Sequence, residues 1–388
     1  MLVKKSTLLS GALLVVALAA TLVPAFAAEG RIPVFAAGTV IGASGRYIVT
    51  NNLVAPCASS AITIAAPATN VDLDLNGFLL SVPVGCMSPV IGIATGPGGP
   101  DHVAIHDGFL SGGGGSIVQP AGPLRVIVIE DVKAHDATGP AIHLTDPTSV
   151  VIRRVEITGA TAEGILLDGP TVKSGSIENS LVRASVNGIV VTNSSSFALV
   201  HNQVESTAFP GPPPAGMGNG ITLNSPLTCL VSENTVSDSS GEGIRLNNGK
   251  GCKLWDNVVR ASGSNGIHLD RVTVDTLVLN NNSSGNGFGF AGAIGDGLLN
   301  EAVQSMIDHN QLNSNSRIGL DFQAAPGTGC GNTFGRNTAR GNLGAAAPPF
   351  ACGAGPALFP PNSCNGTAGC AVPQSTFGDN LIPGPPVF

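Results

Sequence analysis

A tetrapeptide that returns at a nearly constant interval restricts this chain more than any other feature. Gly-Ile-x-Leu, or a close relative, begins at Gly164, Gly188, Gly220, Gly243, Gly266, Gly297 and Gly319, with a degenerate copy at Pro140. The intervals are 24, 24, 32, 23, 23, 31 and 22 residues. A second mark keeps step with the first: an Asn, usually followed two residues later by an apolar residue, at Asn179, Asn202, Asn234, Asn257, Asn281, Asn310 and Asn337. Two marks in register at one period mean a single structural unit repeated many times.

Each copy holds short β-branched runs separated by Gly, Asn and Ser, as in LVSENTVSDSSGEGIRL. The runs are three to five residues long and alternate in polarity, which is the period of a strand. A repeat near 23 residues is too short for a helical hairpin, which needs long amphipathic segments. A coil of three short strands, stacked on the next coil to build parallel sheets, satisfies every mark. Ile and Leu of each tetrapeptide then point inward and x points outward. The Asn is expected at a bend, where a left-handed backbone suits it. Hydrogen bonds run from coil to coil, so each rung depends on its neighbours.

These rungs resemble the repeats of right-handed parallel β-helix proteins, the pectate-lyase-like superfamily. The opening stretch GRYIVTNNLVAPCASSAITIAAPATNVDLDLNGFLLS is similar to the start of bacterial secreted members, where a Gly-x-Tyr strand precedes an ITI rung and a V-x-L-D-L-N-G turn. The resemblance covers roughly residues 38 to 340. It implies an all-β, single-stranded right-handed parallel β-helix (a solenoid) of about eleven coils with capped ends. At ~4.8 Å per rung the coils make a rod of roughly 50 Å. Residues 61–340 form the solenoid, 28–60 an entry strand and cap, and the Gly/Ala/Pro/Cys-rich 341–388 a second cap or tail. Such caps cover otherwise open sheet edges.

The first 27 residues read as a signal peptide: Lys4 and Lys5, an apolar run from Leu8 to Ala20, and Ala25-Phe26-Ala27 as a cleavage site. No later stretch is long and apolar enough to span a membrane. The expected destination is the periplasm, the cell surface or the medium. A formal net charge of −7, more negative once both lysines leave, argues against nucleic acid, because no basic stripe exists to neutralise phosphates. The eight cysteines then point to disulfides. Cys57 and Cys86 flank the first rung and are expected to pair. Cys229 and Cys252 each precede a ladder Asn by five residues, so they stack on adjacent coils; a bridge and two stacked thiols both fit. Cys330, Cys352, Cys364 and Cys370 fall in or near the C-terminal cap, their pairing open.

Outward residues of neighbouring rungs form columns, and two columns turn titratable late in the chain. The first ends in Arg245, His268, Leu299 and Asp321; the second, two residues further along each rung, in Asn247, Asp270 and Glu301. Arg245 suits a carboxylate, and His268 can move a proton near neutral pH. Asp270 and Glu301, one rung apart, fit either a shared divalent cation such as calcium or a pair of glycosidase carboxylates. Arg245, His268, Asp270, Glu301 and Asp321 are therefore the catalytic candidates. Asn247, Phe288 and Phe290 are the substrate-binding candidates, with two long inserts, residues 206–220 and 283–297, framing the patch. The expected partner is a polysaccharide bound along this face, either cleaved by lyase or glycosidase chemistry or held by a non-catalytic binding module. The competing expectation is a non-catalytic structural or adhesive rod. Against catalysis stand the missing Asp-Asp and His-Gly pairs of the polygalacturonase-like pattern and the missing Asp-Pro-His-Glu of alginate epimerases. A solvated sheet face also carries some titratable groups by chance.

Overall fold

The computed structural model describes residues 30–94, 99–120, 122, 124–170, 174–183, 186–205, 218–288, 295–322, 332–339, 342, 350–352 and 376–377. The signal segment, Phe290, Cys330, Cys364, Cys370 and most of 341–388 lie outside these residues. The described residues form strands and turns with no helix, and hence no helix able to cross a membrane.

Two sheets, every pairing parallel, carry the architecture. One has thirteen strands in simple chain succession, from Thr39–Ile41 through Ile62–Ile64, Ile244–Asn247 and Ile267–Leu269 to Phe350–Cys352. From Ile62–Ile64 to Leu320–Phe322 it counts eleven rungs. Residues 28–60 contribute Thr39–Ile41 to this ladder and Gly45–Val49 to the other. The second sheet has 22 strands, because later coils split into two strands at a corner that early strands such as His102–Gly112 and Leu124–His135 pass unbroken. Leu230–Ser232 and Thr235–Ser237 show that split within one coil.

Register follows the tetrapeptide. Ile244 and Leu246 are fully buried, and so are their partners Ile267 and Leu269. Each buried Ile, Leu or Val removes roughly 1.5–3 kcal/mol worth of apolar surface from water, and stacking repeats the gain on every coil. The degenerate copy is one residue later than expected: Ile142 pairs with Ile165, so Ala141, not Pro140, stands in the place of Gly164.

The repeated glycine is required by contact. A Cβ on Gly243 would lie 2.2 Å from Val259 Cγ1 and 2.6 Å from the Gly266 carbonyl oxygen of the next coil. Gly243→Ala is expected to cost about 1–3 kcal/mol by overpacking. Gly42→Ala, whose Cβ would meet only Ala66 O at 3.9 Å, should stay within about 0.5 kcal/mol. Urea unfolding of both variants checks the pair, and equal midpoints would refute the contact explanation.

The asparagine column is real, but its role differs from the expectation. The left-handed corner residue is the one before the ladder position: Asp107, Asp131, Arg154, Asn179, His201, Glu233, Asp256, Asn280, His309 and Arg336 on successive coils. Asn179 is thus a corner residue, and Ser180 fills the ladder place. Asn202, Asn234, Asn257, Asn281, Asn310 and Asn337 are buried. Their amides chain from coil to coil: Asn234 Nδ2 donates to Asn257 Oδ1 at 3.0 Å, and Asn257 Nδ2 to Asn281 Oδ1 at 2.9 Å. A carboxamide both donates and accepts, so a buried column of them satisfies itself and the turn backbone together.

Cys57 is bonded to Cys86 and Cys229 to Cys252, with Cα separations of 5.0 and 4.4 Å. The second pair is therefore a bridge between adjacent coils. Trp255 lies on the 22-stranded sheet between Ser232 and Leu279 and is half exposed.

Candidate functional site

The thirteen-stranded sheet presents one continuous outward column, Thr222, Arg245, His268, Leu299 and Asp321, each paired with the next. The expected register holds residue for residue. Exposure does not follow from it: His268 is 8% and Asp321 3% exposed. They point away from the solenoid core and are nevertheless covered.

The residues that bury them stand one place before each repeat glycine. That position carries Glu163, Asn187, Asn219, Glu242, Asn265 and Asp296, a polar column that the sequence displays in GEGIRL, SNGIHL and GDGLL. It has its own ladder: Glu242 N donates to Asn219 Oδ1 at 2.9 Å, and Asp296 N to Asn265 Oδ1 at 3.0 Å. Attention to the x positions alone misses it, because the glycine looks like the start of the motif.

Two ion-paired groups result. In the first, His268 Nδ1 lies 2.6 Å from Glu242 Oε1, and Nε2 lies 3.4 Å from Glu301 Oε2. Asn265 Nδ2 donates to Glu242 Oε1 at 3.3 Å. Arg245 Nε donates to Asn247 Oδ1 at 2.6 Å and approaches Glu242 Oε2 at 3.4 Å. Burial opposes protonation of His268, but the hydrogen bond and charge of Glu242 outweigh it and raise the pKa. Burial likewise opposes ionisation of Glu242, and the bond to His268 prevails, holding its carboxyl below the usual range. Both shifts favour the charged partner, imidazolium beside carboxylate. The terminal nitrogens of Arg245 make no hydrogen bond among the described residues, so the Nε contacts orient a guanidinium fork that remains available.

In the second group, Arg317 pairs with both Asp296 and Asp321, the latter at 2.6 Å. Asp296 is fully buried, and also accepts Ile318 N at 3.1 Å. Burial raises its pKa to about 6: Arg317 opposes the rise, while Asp321 competes for the same positive charge.

The sequence candidates therefore divide. Arg245, Asn247, His268 and Glu301 come together with Glu242. Asp321 joins Arg317 and Asp296, separated from His268 by the Leu299 rung. Asp270 turns aside, its Oδ1 accepting Val272 N at 3.2 Å. Glu301 faces His268 and, at 4.0 Å, Arg271, so a cation shared with Asp270 would compete with both. Phe288 is 53% exposed, and Phe290 lies outside the described residues.

No family model matches the chain, and no curated protein matches it in sequence. Solved structures do match in fold. The A-module of Azotobacter vinelandii mannuronan C-5 epimerase AlgE4 aligns with a TM-score of 0.61 at 14% identity, over 88% of this chain and 91% of that one. The AlgE6 A-module of the same organism aligns with a TM-score of 0.58 at 15% identity, over 93% and 94%. The periplasmic alginate epimerase AlgG gives a TM-score of 0.51 at 12% identity, over 91% of this chain and 78% of that one. The fold is the right-handed parallel β-helix. At these identities the likeness extends to the fold alone.

Proposed function

We propose that this protein binds an acidic, uronate-containing polysaccharide across the outward face of the thirteen-stranded sheet and cleaves it by β-elimination. The observation that carries the reading is the oriented guanidinium of Arg245, its terminal N–H groups open, beside the Glu242–His268–Glu301 row. A planar fork matches a carboxylate in bidentate fashion and neutralises the charge that grows when the adjacent C–H bond is broken. The similar solved structures include mannuronan and alginate epimerases, which suits a uronate substrate.

The roles follow from protonation. The raised pKa of His268 favours its protonated form and suits it as acid; Glu301, at the edge of the row, serves as base. Glu301 takes the proton from C5 of the uronate, the electron pair forms the C4–C5 double bond, and the C4–O bond breaks. His268 gives its proton to the departing sugar oxygen. Glu242 holds the imidazole in place. Export to an oxidising compartment belongs to the same reading and suits the two disulfides.

The test offers purified protein a panel of uronate polymers and follows two readouts: ultraviolet absorbance of unsaturated ends, and binding by affinity electrophoresis. Glu301→Gln is expected to reduce product formation by about 10²–10⁴-fold while binding persists, and Arg245→Gln to weaken binding. Binding that depends on Arg245 without products would leave a binding module and remove the elimination step. No binding to any uronate polymer would overturn the proposal and favour the rod, whose ion pairs then only fasten the coils.

A further inference from the structure

We propose a second site, for a divalent transition-metal ion of the zinc or cobalt class, formed by Asp74, His106 and Asp107 on the outward side of the 22-stranded sheet. It lies on early coils and on the other sheet from Arg245, and it is independent of the polysaccharide reading.

Asp74 and His106 are direct partners in adjacent strands, and Asp107 follows at the left-handed corner. One ligand atom from each of the three converges, all within 4.8 Å of one another. His106 Nδ1 is the meeting point, 2.8 Å from Asp107 Oδ2 and 4.0 Å from Asp74 Oδ1. Ligand atoms around a tetrahedral ion with bonds of ~2.1 Å stand roughly 3.4 Å apart. The two separations bracket that value, so small side-chain rotations complete the triangle.

The other ring nitrogen supports this assignment. His106 Nε2 lies 2.9 Å from Asp72 Oδ1. Nδ1 donates to Asp107 Oδ2 at 2.8 Å, so an incoming ion displaces that proton, while the Asp72 carboxylate keeps the proton on Nε2, the usual outer arrangement of a ligating histidine. Asp74 keeps the matching atom available, because Arg31 binds its Oδ2 at 2.8 Å. Its Oδ1 accepts Asn76 N at 2.7 Å. An imidazole with two carboxylates favours zinc- or cobalt-like ions over calcium, which prefers six or more oxygens. Three protein ligands leave a coordination position open. A recess of about 220 Å³, lined by His106, Asp107, Glu130 and Asp131, adjoins it and has room for water.

The test is titration of the purified full chain with cobalt(II), read by visible absorption, followed by zinc competition. One equivalent should produce an intense low-coordination spectrum that zinc displaces. The spectrum should be lost in His106→Gln, and Asp72→Asn should weaken binding about 10–100-fold. Asp107→Asn, at an exposed corner, provides a second ligand variant should His106→Gln unfold, and circular dichroism monitors both. His309→Gln should bind as the parent does. A spectrum unchanged in His106→Gln and Asp107→Asn, or no spectrum at millimolar cobalt, would overturn the site.

Discussion

Asn257→Ala is expected to lower unfolding stability by about 3–5 kcal/mol, without any contact to the proposed sites. Asn257 Oδ1 accepts Asn234 N at 3.1 Å as well as Asn234 Nδ2, and its own Nδ2 donates to Val231 O at 2.8 Å. Truncation removes the side-chain acceptor of a buried backbone N–H, breaks the amide chain in the middle and leaves a carboxamide-sized void. Asn257→Asp should be worse, since the carboxylate cannot donate to Val231 or Asn281 and brings a buried charge. Lys253→Ala, at an exposed strand position, should stay within about 0.5 kcal/mol. Urea denaturation with a free slope is the measurement, because a solenoid can unravel in segments and a changed slope would reveal it. An Asn257→Ala midpoint equal to that of the parent would show that the ladder only decorates the turn.

The second large effect belongs to the Glu242–His268 pair. His268→Leu leaves Glu242 buried beside Arg245 without its imidazolium and should cost about 3–5 kcal/mol, the usual penalty for removing one partner of a buried pair. This reverses what an outward position suggests: a solvated His268 would be replaceable at little cost. The loss should depend on pH in a defined sense. His268 has a raised pKa, so its contribution is complete below its ordinary value of 6.5 and fades as pH rises through the raised one. Glu242 has a lowered pKa, so its contribution is complete above 4.5 and fades as pH falls through the lowered one. The gap between parent and variant should therefore be widest between about pH 4.5 and 6.5 and narrow on both sides. Asp296 works in the opposite sense, favouring the folded state at low pH, and cancels in the comparison because both proteins contain it. Adding Glu242→Gln to His268→Leu should restore part of the stability, since no buried charge is then stranded. A pH-independent gap would mean that His268 acts by shape alone.

Much of this arrangement was legible in the chain. The strand period, inward Ile and Leu and outward Arg245, His268 and Asp321 follow from alternation, because a parallel ladder preserves phase from coil to coil. The column before each glycine was also present, as Glu242, Asn265 and Asp296, but a pattern anchored on glycine hides the residue preceding it. The corner was misassigned by one place. Asn tolerates a left-handed backbone, so propensity favoured Asn257, whereas Asp256 takes that conformation and Asn257 turns inward, its side chain bonding the backbone of the preceding coil at Val231 and Asn234.

The repeat by itself determined the solenoid, its register and the side of the sheet on which each residue lies, because these depend on local alternation and a constant period. Tertiary structure decided the rest: which outward residues are covered, which carboxylate reaches His268, and that Asp321 belongs with Arg317 and Asp296. Those outcomes turn on distances between coils, across residues 21 to 33 positions apart in the chain for Arg317–Asp296, His268–Glu242 and His268–Glu301. Burial and charge pairing set their protonation, and neither quantity is a property of any residue alone.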